Sequence, residues 1–139
     1  MTRRFAILLP LTLGLKGGFG ASTGTVPFYE LNTLGRTTGL RGYSRDRFSG
    51  KTAAFFNSQL AAEFGTLKTV IAPLTYGIFV FYDAGRVWVP QESSAKIHAG
   101  YGGGIYCTPL FEILTTRISI AFSDEERSGI VEVGLGTNF

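Results

Sequence analysis

Two carboxylates, Glu63 and Asp83, and the arginines around residue 41 are the side chains of this 139-residue chain best placed to do chemistry. In an enzyme, two acids on one surface can divide acid and base work between them. Here they accompany a cationic stretch, Leu40-Arg41-Gly42-Tyr43-Ser44-Arg45-Asp46-Arg47-Phe48, in which Arg41, Arg45 and Arg47, flanked by Arg36 and Lys51, stand against the single acid Asp46. Charge of this density in a loop is either left to solvent or answered by carboxylates elsewhere. An ionic latch between loop and acids is a better use of these residues than catalysis, so the chain is not expected to be an enzyme.

Other chemistries fail on spacing. Gly100-Tyr101-Gly102-Gly103-Gly104 lies inside an alternating segment with no helix to follow, which a dinucleotide site requires. Gly50-Lys51-Thr52 resembles the end of a phosphate loop, but its first glycine would fall at Arg45. Cys107 and His98 are the single residues of their types, so neither a disulfide nor a Cys/His metal cluster is expected, and no cofactor is implied. A net charge of +3 makes no case for nucleic acid.

The elements that must carry these residues are strands. Nineteen glycines, with twelve Phe and six Tyr, favour strands and turns over helices. Residues 1–15 imitate a signal peptide, yet Pro10 and Thr12 interrupt the run, and Phe5, Ile7, Leu9, Leu11, Leu13 and Leu15 share one parity, as in a strand. Alternation predicts strands over about 5–20, 53–65, 70–84, 97–107, 112–123 and 129–139, with a long loop over 21–52. Leu74, Tyr76, Ile78, Val80 and Tyr82 form the clearest apolar parity. Glu63, Asp83 and Arg117 fall on the polar one.

Alternation of this kind fits two architectures. In one, a soluble sandwich or small barrel serving as a binding module, the apolar parity is a core. In the other, an antiparallel transmembrane β-barrel, it meets lipid and the polar parity faces a wet lumen. Long and short connections in turn, glycine on the polar parity of the fourth and sixth segments, and the aromatic last residue Phe139 favour the membrane barrel. No run reaches the ~18 apolar residues of a membrane helix, so any crossing is by strands.

The motifs also carry a resemblance. Leu40-Arg41-Gly42-Tyr43 resembles the (V/I)RG(F/Y) loop motif of the bacterial surface antigen superfamily of outer-membrane barrels, which includes the barrel assembly factor, the translocation and assembly module barrel and two-partner secretion transporters. Phe81-Tyr82-Asp83-Ala84-Gly85 is similar to its FxDxG strand motif, and Ala62-Glu63-Phe64 to its glutamate-bearing strand. The resemblance implies a sixteen-stranded barrel of which this chain supplies about the last six strands, residues 1–139 being its C-terminal portion. It implies a loop folded into the lumen, with Arg41 against Asp83 and Glu63 and with Gly42, Tyr43 and Gly85 completing the latch. The expected location is the cell outer membrane, and the expected partners are its lipid, client polypeptides that are inserted or translocated, and the rest of the barrel or upstream domains. The segment from Glu132 to Phe139 resembles the C-terminal targeting signal of such barrels, through Gly134 and Phe139, although Thr137 departs from the usual apolar penultimate residue.

Overall fold

The computed structural model describes residues 10–25, 27, 32–34, 39–43, 48–89, 96–109, 114–125 and 128–136. Among these the fold is all-β. Strands β1 (Leu11–Ala21), β4 (Thr52–Lys68), β5 (Pro73–Trp88), β6 (His98–Pro109), β7 (Thr115–Ser123) and β8 (Ile130–Gly136) form one antiparallel sheet in the order β1-β4-β5-β6-β7-β8. The sheet is open, with β1 and β8 as its edges. Between β1 and β4 the chain makes a second, two-stranded sheet from β2 (Asn32–Leu34) and β3 (Phe48–Gly50). We call residues 22–51, which contain this small sheet, the strap.

Period-two alternation builds the large sheet. Cross-strand registers such as Leu13↔Leu60↔Val80↔Gly103↔Ile120↔Val131 carry the apolar parity of every strand onto one face. That outer face is exposed in nearly every large residue, from Leu11, Leu13 and Leu15 across Ile78 and Val80 to Val131, Val133 and Leu135. In the middle of β4 the outward Ser58 hydroxyl donates to the Tyr82 carbonyl at 3.0 Å and is thereby satisfied among its aliphatic neighbours.

The inner face packs in two places. Ala61, Phe79, Phe81 and Ala121 cluster with Tyr106. The Phe81 ring lies over Gly102 of β6, where a Cβ would meet its Cζ at 2.8 Å, and Gly104 is closed instead by β7, where a Cβ would meet the Ser119 Cβ at 2.8 Å. The second cluster, Leu34, Leu40, Tyr43 and Ala53 with Phe48, Phe55 and Val87, joins the strap to the sheet.

Several boundaries differ from the sequence expectation. β5 was expected to end near residue 84 and runs to Trp88, because Arg86 and Val87 keep the ladder with Ala54 and Ala53. β4 reaches Lys68 through a bulge between Glu63 and Gly65, where Phe64 is the extra residue, so the phase of its alternation changes there. The expected single loop 21–52 contains the β2–β3 pair. Residues 5–9 of the first expected strand, 112–113 of the fifth and 137–139 of the sixth lie outside the described residues.

Candidate functional site: the strap and the carboxylate beneath it

Arg41 reaches the sheet because the strap turns sharply at two glycines. Gly39 and Gly42 have φ of +115° and +91°, values that L side chains rarely adopt. There is no room for a side chain at either: a Cβ at Gly39 would lie 2.6 Å from the Phe55 ring, and one at Gly42 would lie 2.5 Å from the Phe122 carbonyl oxygen. The Asn57 amide donates to the Gly39 carbonyl at 2.7 Å and fixes the turn to β4.

Between those turns the Arg41 side chain meets Asp83 of β5 as a fork. Nε donates to Oδ2 at 2.7 Å and Nη2 to Oδ1 at 2.8 Å, while the backbone N–H of Arg41 adds a third bond to Oδ2 at 3.1 Å. Nη1 donates to Gln59 Oε1 of β4 at 2.9 Å. The guanidinium carbon lies 3.9 Å from the centroid of the Phe81 ring. Planar, bidentate pairing with an aromatic floor is what a guanidinium does and an ammonium cannot. Asp83 is fully enclosed, whereas the Arg41 side chain keeps 22% of its surface exposed.

Two further anchors extend the contact to β6, beyond the seat of Gly42 on Phe122 of β7. The Tyr43 hydroxyl, also fully buried, donates to the Ala99 carbonyl at 3.0 Å. The Arg41 carbonyl lies over Gly100, where a Cβ would come within 2.0 Å of it. Gly85 plays the same part at the other margin, its missing side chain leaving room for Leu34 and Leu40, whose Cδ1 atoms would be 3.1 and 3.2 Å from a Cβ. The strap thus rests on four neighbouring strands.

At the strap's outer end Phe48 stacks on His98, centroids 3.7 Å apart, and Tyr43 meets both rings edge-on. His98 Nδ1 pairs with Glu125 at 3.1 Å, and Lys96 also binds that carboxylate. The Lys96 hydrogen bond holds the Glu125 carboxyl below its ordinary value, despite some burial, with help from His98. Burial, and then the charges of Glu125 and Asp124, push the Tyr43 phenol up to about 12.

The site residues read from sequence are therefore divided. Arg41, Gly42, Tyr43, Asp83 and Gly85 come together. Glu63 does not join them: the β4–β5 register sets Asn57 opposite Asp83 and Glu63 opposite Gly77, six positions or roughly 20 Å of strand away. Gln59 takes the role expected of Glu63. Gly134 sits opposite Arg117 in β7 and takes no part in the fork, and Phe139 lies outside the described residues. Sequence reasoning missed Gln59, Asn57, Phe81 and Gly100. The parity of Asp83 was a signal for Phe81 alone, the next residue on its face; Asn57 and Gly100 flank Asp83 only through the strand register. Among the described residues no group of three or more His, Cys, Asp or Glu is arranged to hold a metal.

No protein-family model, curated protein or solved structure matches this chain.

Proposed function

We propose that this chain is the C-terminal, six-stranded part of an outer-membrane β-barrel that inserts or translocates other polypeptides, with the strap folded into the lumen. The observation that carries the barrel reading is the outer face: β1 and β4 to β8 all turn aliphatic and aromatic side chains outward, over an area far beyond the few hundred Å² of apolar patch that a soluble monomer exposes. Tyr82, Tyr101 and Phe122 form one aromatic row across three strands, and Phe64 with Tyr76 a second row nearer the β4–β5 turn, as the girdles of a membrane barrel would. The open edges of β1 and β8 need partners in lipid, where each unsatisfied backbone group costs several kcal/mol, and the missing strands of a sixteen-stranded barrel would supply them.

The role in handling polypeptides rests on the resemblance of Leu40-Arg41-Gly42-Tyr43 and Phe81-Tyr82-Asp83-Ala84-Gly85 to the surface antigen barrels. It is supported by the way Arg41 and Asp83 are used, as a bidentate latch that joins the strap to the sheet. In this mechanism the strap braces the wall while clients, as extended chains, meet the barrel at its seam. The test is two-part. Phase partition and heat-modifiable mobility of the assembled protein read the membrane reading, and recovery in the aqueous phase without detergent overturns it in favour of a soluble all-β binding module. Depletion of the protein in its host, followed by the amounts of other outer-membrane and secreted proteins, reads the client function; unchanged levels overturn that.

A further inference from the structure

Arg86 is the one charged residue on the outer face of the described strands. It shares its parity on β5 with Ile78, Val80 and Tyr82, and stands opposite Ala54 in β4. The fork at Arg41 has acceptors for its donors; Arg86 Nε is buried with no hydrogen-bond partner among the described residues. Its guanidinium carbon lies 4.8 Å from the centroid of the Trp88 ring, two residues on and at the end of the strand. A guanidinium laid on an aromatic face keeps its plane fixed and its remaining N–H groups directed to one side, which suits a tetrahedral oxyanion.

Depth narrows the class of ligand. The apolar band of β5 is centred near Phe79, so Arg86 lies seven positions away, ~23 Å along the strand or ~18 Å along the normal for a strand tilted by about 40°. The hydrocarbon half-thickness is ~12–15 Å, which leaves Arg86 in the headgroup layer with Trp88 beside it. The half-buried Arg86 side chain makes no ion pair among the described residues, and at that depth the abundant anion for its remaining, outward N–H groups is the phosphate of a lipid.

We propose that Arg86 and Trp88 form a binding site for a lipid headgroup phosphate, at the strap end of the outer face. The site rests on the membrane-barrel reading. It would take a phosphate with an exposed negative charge, as in a phosphomonoester, in preference to one masked by choline.

Trp88 is the only tryptophan of the chain and reports on the site directly. The assembled protein, with Trp88 as its sole tryptophan, is reconstituted in phosphatidylcholine vesicles containing increasing lipid A, and Trp88 emission is followed. Saturable change is expected in the wild type. Arg86→Gln should need about tenfold more lipid A, the loss of one charge-assisted hydrogen bond, and Arg86→Lys should fall between. Retention on the vesicles through alkaline extraction, with heat-modifiable mobility, separates the two levels of the argument. Vesicle-retained, heat-modifiable protein with identical lipid A responses in wild type and Arg86→Gln overturns the site and leaves the barrel standing; release into the aqueous phase overturns the barrel reading and the site with it. A saturating response to inorganic phosphate alone, with no further response to lipid A, overturns the lipid as the source.

Discussion

Asp83 gives both of its carboxylate oxygens to one residue, Arg41, which approaches with its side-chain fork and its own backbone N–H together. The pair is unequal, because the acid has no contact with solvent and the base retains some. Loss of the arginine therefore leaves a buried, uncompensated carboxylate, at a cost of about 3–5 kcal/mol, whereas loss of the acid leaves a cation that Gln59, the Phe81 ring and water still share. Arg41→Ala should be the more damaging single change. Adding Asp83→Asn to it should recover part of the loss, and Arg41→Lys should rescue only in part. A double-mutant cycle in the assembled protein, read by protease cleavage of the strap, checks this; additive losses would contradict the contact.

Glycine substitutions should separate the strap's seats from its surroundings. Gly42→Ala combines a φ of +91° with a 2.5 Å encounter with the Phe122 carbonyl, and Gly100→Ala places its Cβ 2.0 Å from the Arg41 carbonyl. Backbone strain alone costs on the order of 1–3 kcal/mol, and collision adds to it. Gly14→Ala, whose Cβ would lie an ordinary 3.9 Å from the Gln59 carbonyl oxygen, should be within about 0.5 kcal/mol of neutral. Hydrogen exchange of the strap amides distinguishes the three.

The two faces should answer differently to charge. Ile78 on the outer face and Thr12 on the inner are at similar height, since Ile78 is opposite Ala62, which is opposite Leu11. In the assembled protein Ile78→Lys should cost ~2–4 kcal/mol and Thr12→Lys much less. Denaturant titration from vesicles measures both, and equal costs would contradict the assignment of the faces.

Tyr43 makes the strap sensitive to alkali. Its phenol is pushed up to about 12 in the folded protein, against an unfolded value of 10.0, so the folded state holds the proton more tightly. The stability this contributes is fully present below pH 10 and is lost as pH rises through 10 to 12. The strap should loosen in that window, seen as protease sensitivity that tracks tyrosinate absorbance. Tyr43→Phe should flatten this dependence at a constant cost of ~1 kcal/mol for the lost bond to Ala99.

The parity of each strand was legible because one face is apolar from end to end, and a one-residue slip would reverse it. Asp83 stood out for the same reason, as the one acid on a face it shares with Gly77, Phe79, Phe81 and Gly85. The place of Glu63 was not legible: strand pairing fixes which residues are opposite, and alternation says nothing of register along the strand. Nor were the β2–β3 pair and the far end of β5, where three-residue strands and the run Gly85-Arg86-Val87-Trp88 are held by pairing with neighbours and carry no period of their own.

The strap's anchors also set an order of events during assembly. The strap connects β1 to β4, the first two strands of the sheet, yet Arg41 bonds 42 residues ahead to Asp83 and Tyr43 bonds 56 residues ahead to Ala99, and Gly42 seats on the backbone at Phe122. Closing those intervals requires β5, β6 and β7 to be laid down already. A segment made early is thus fixed late, and the burial of Asp83 records that the wall beyond it has been built.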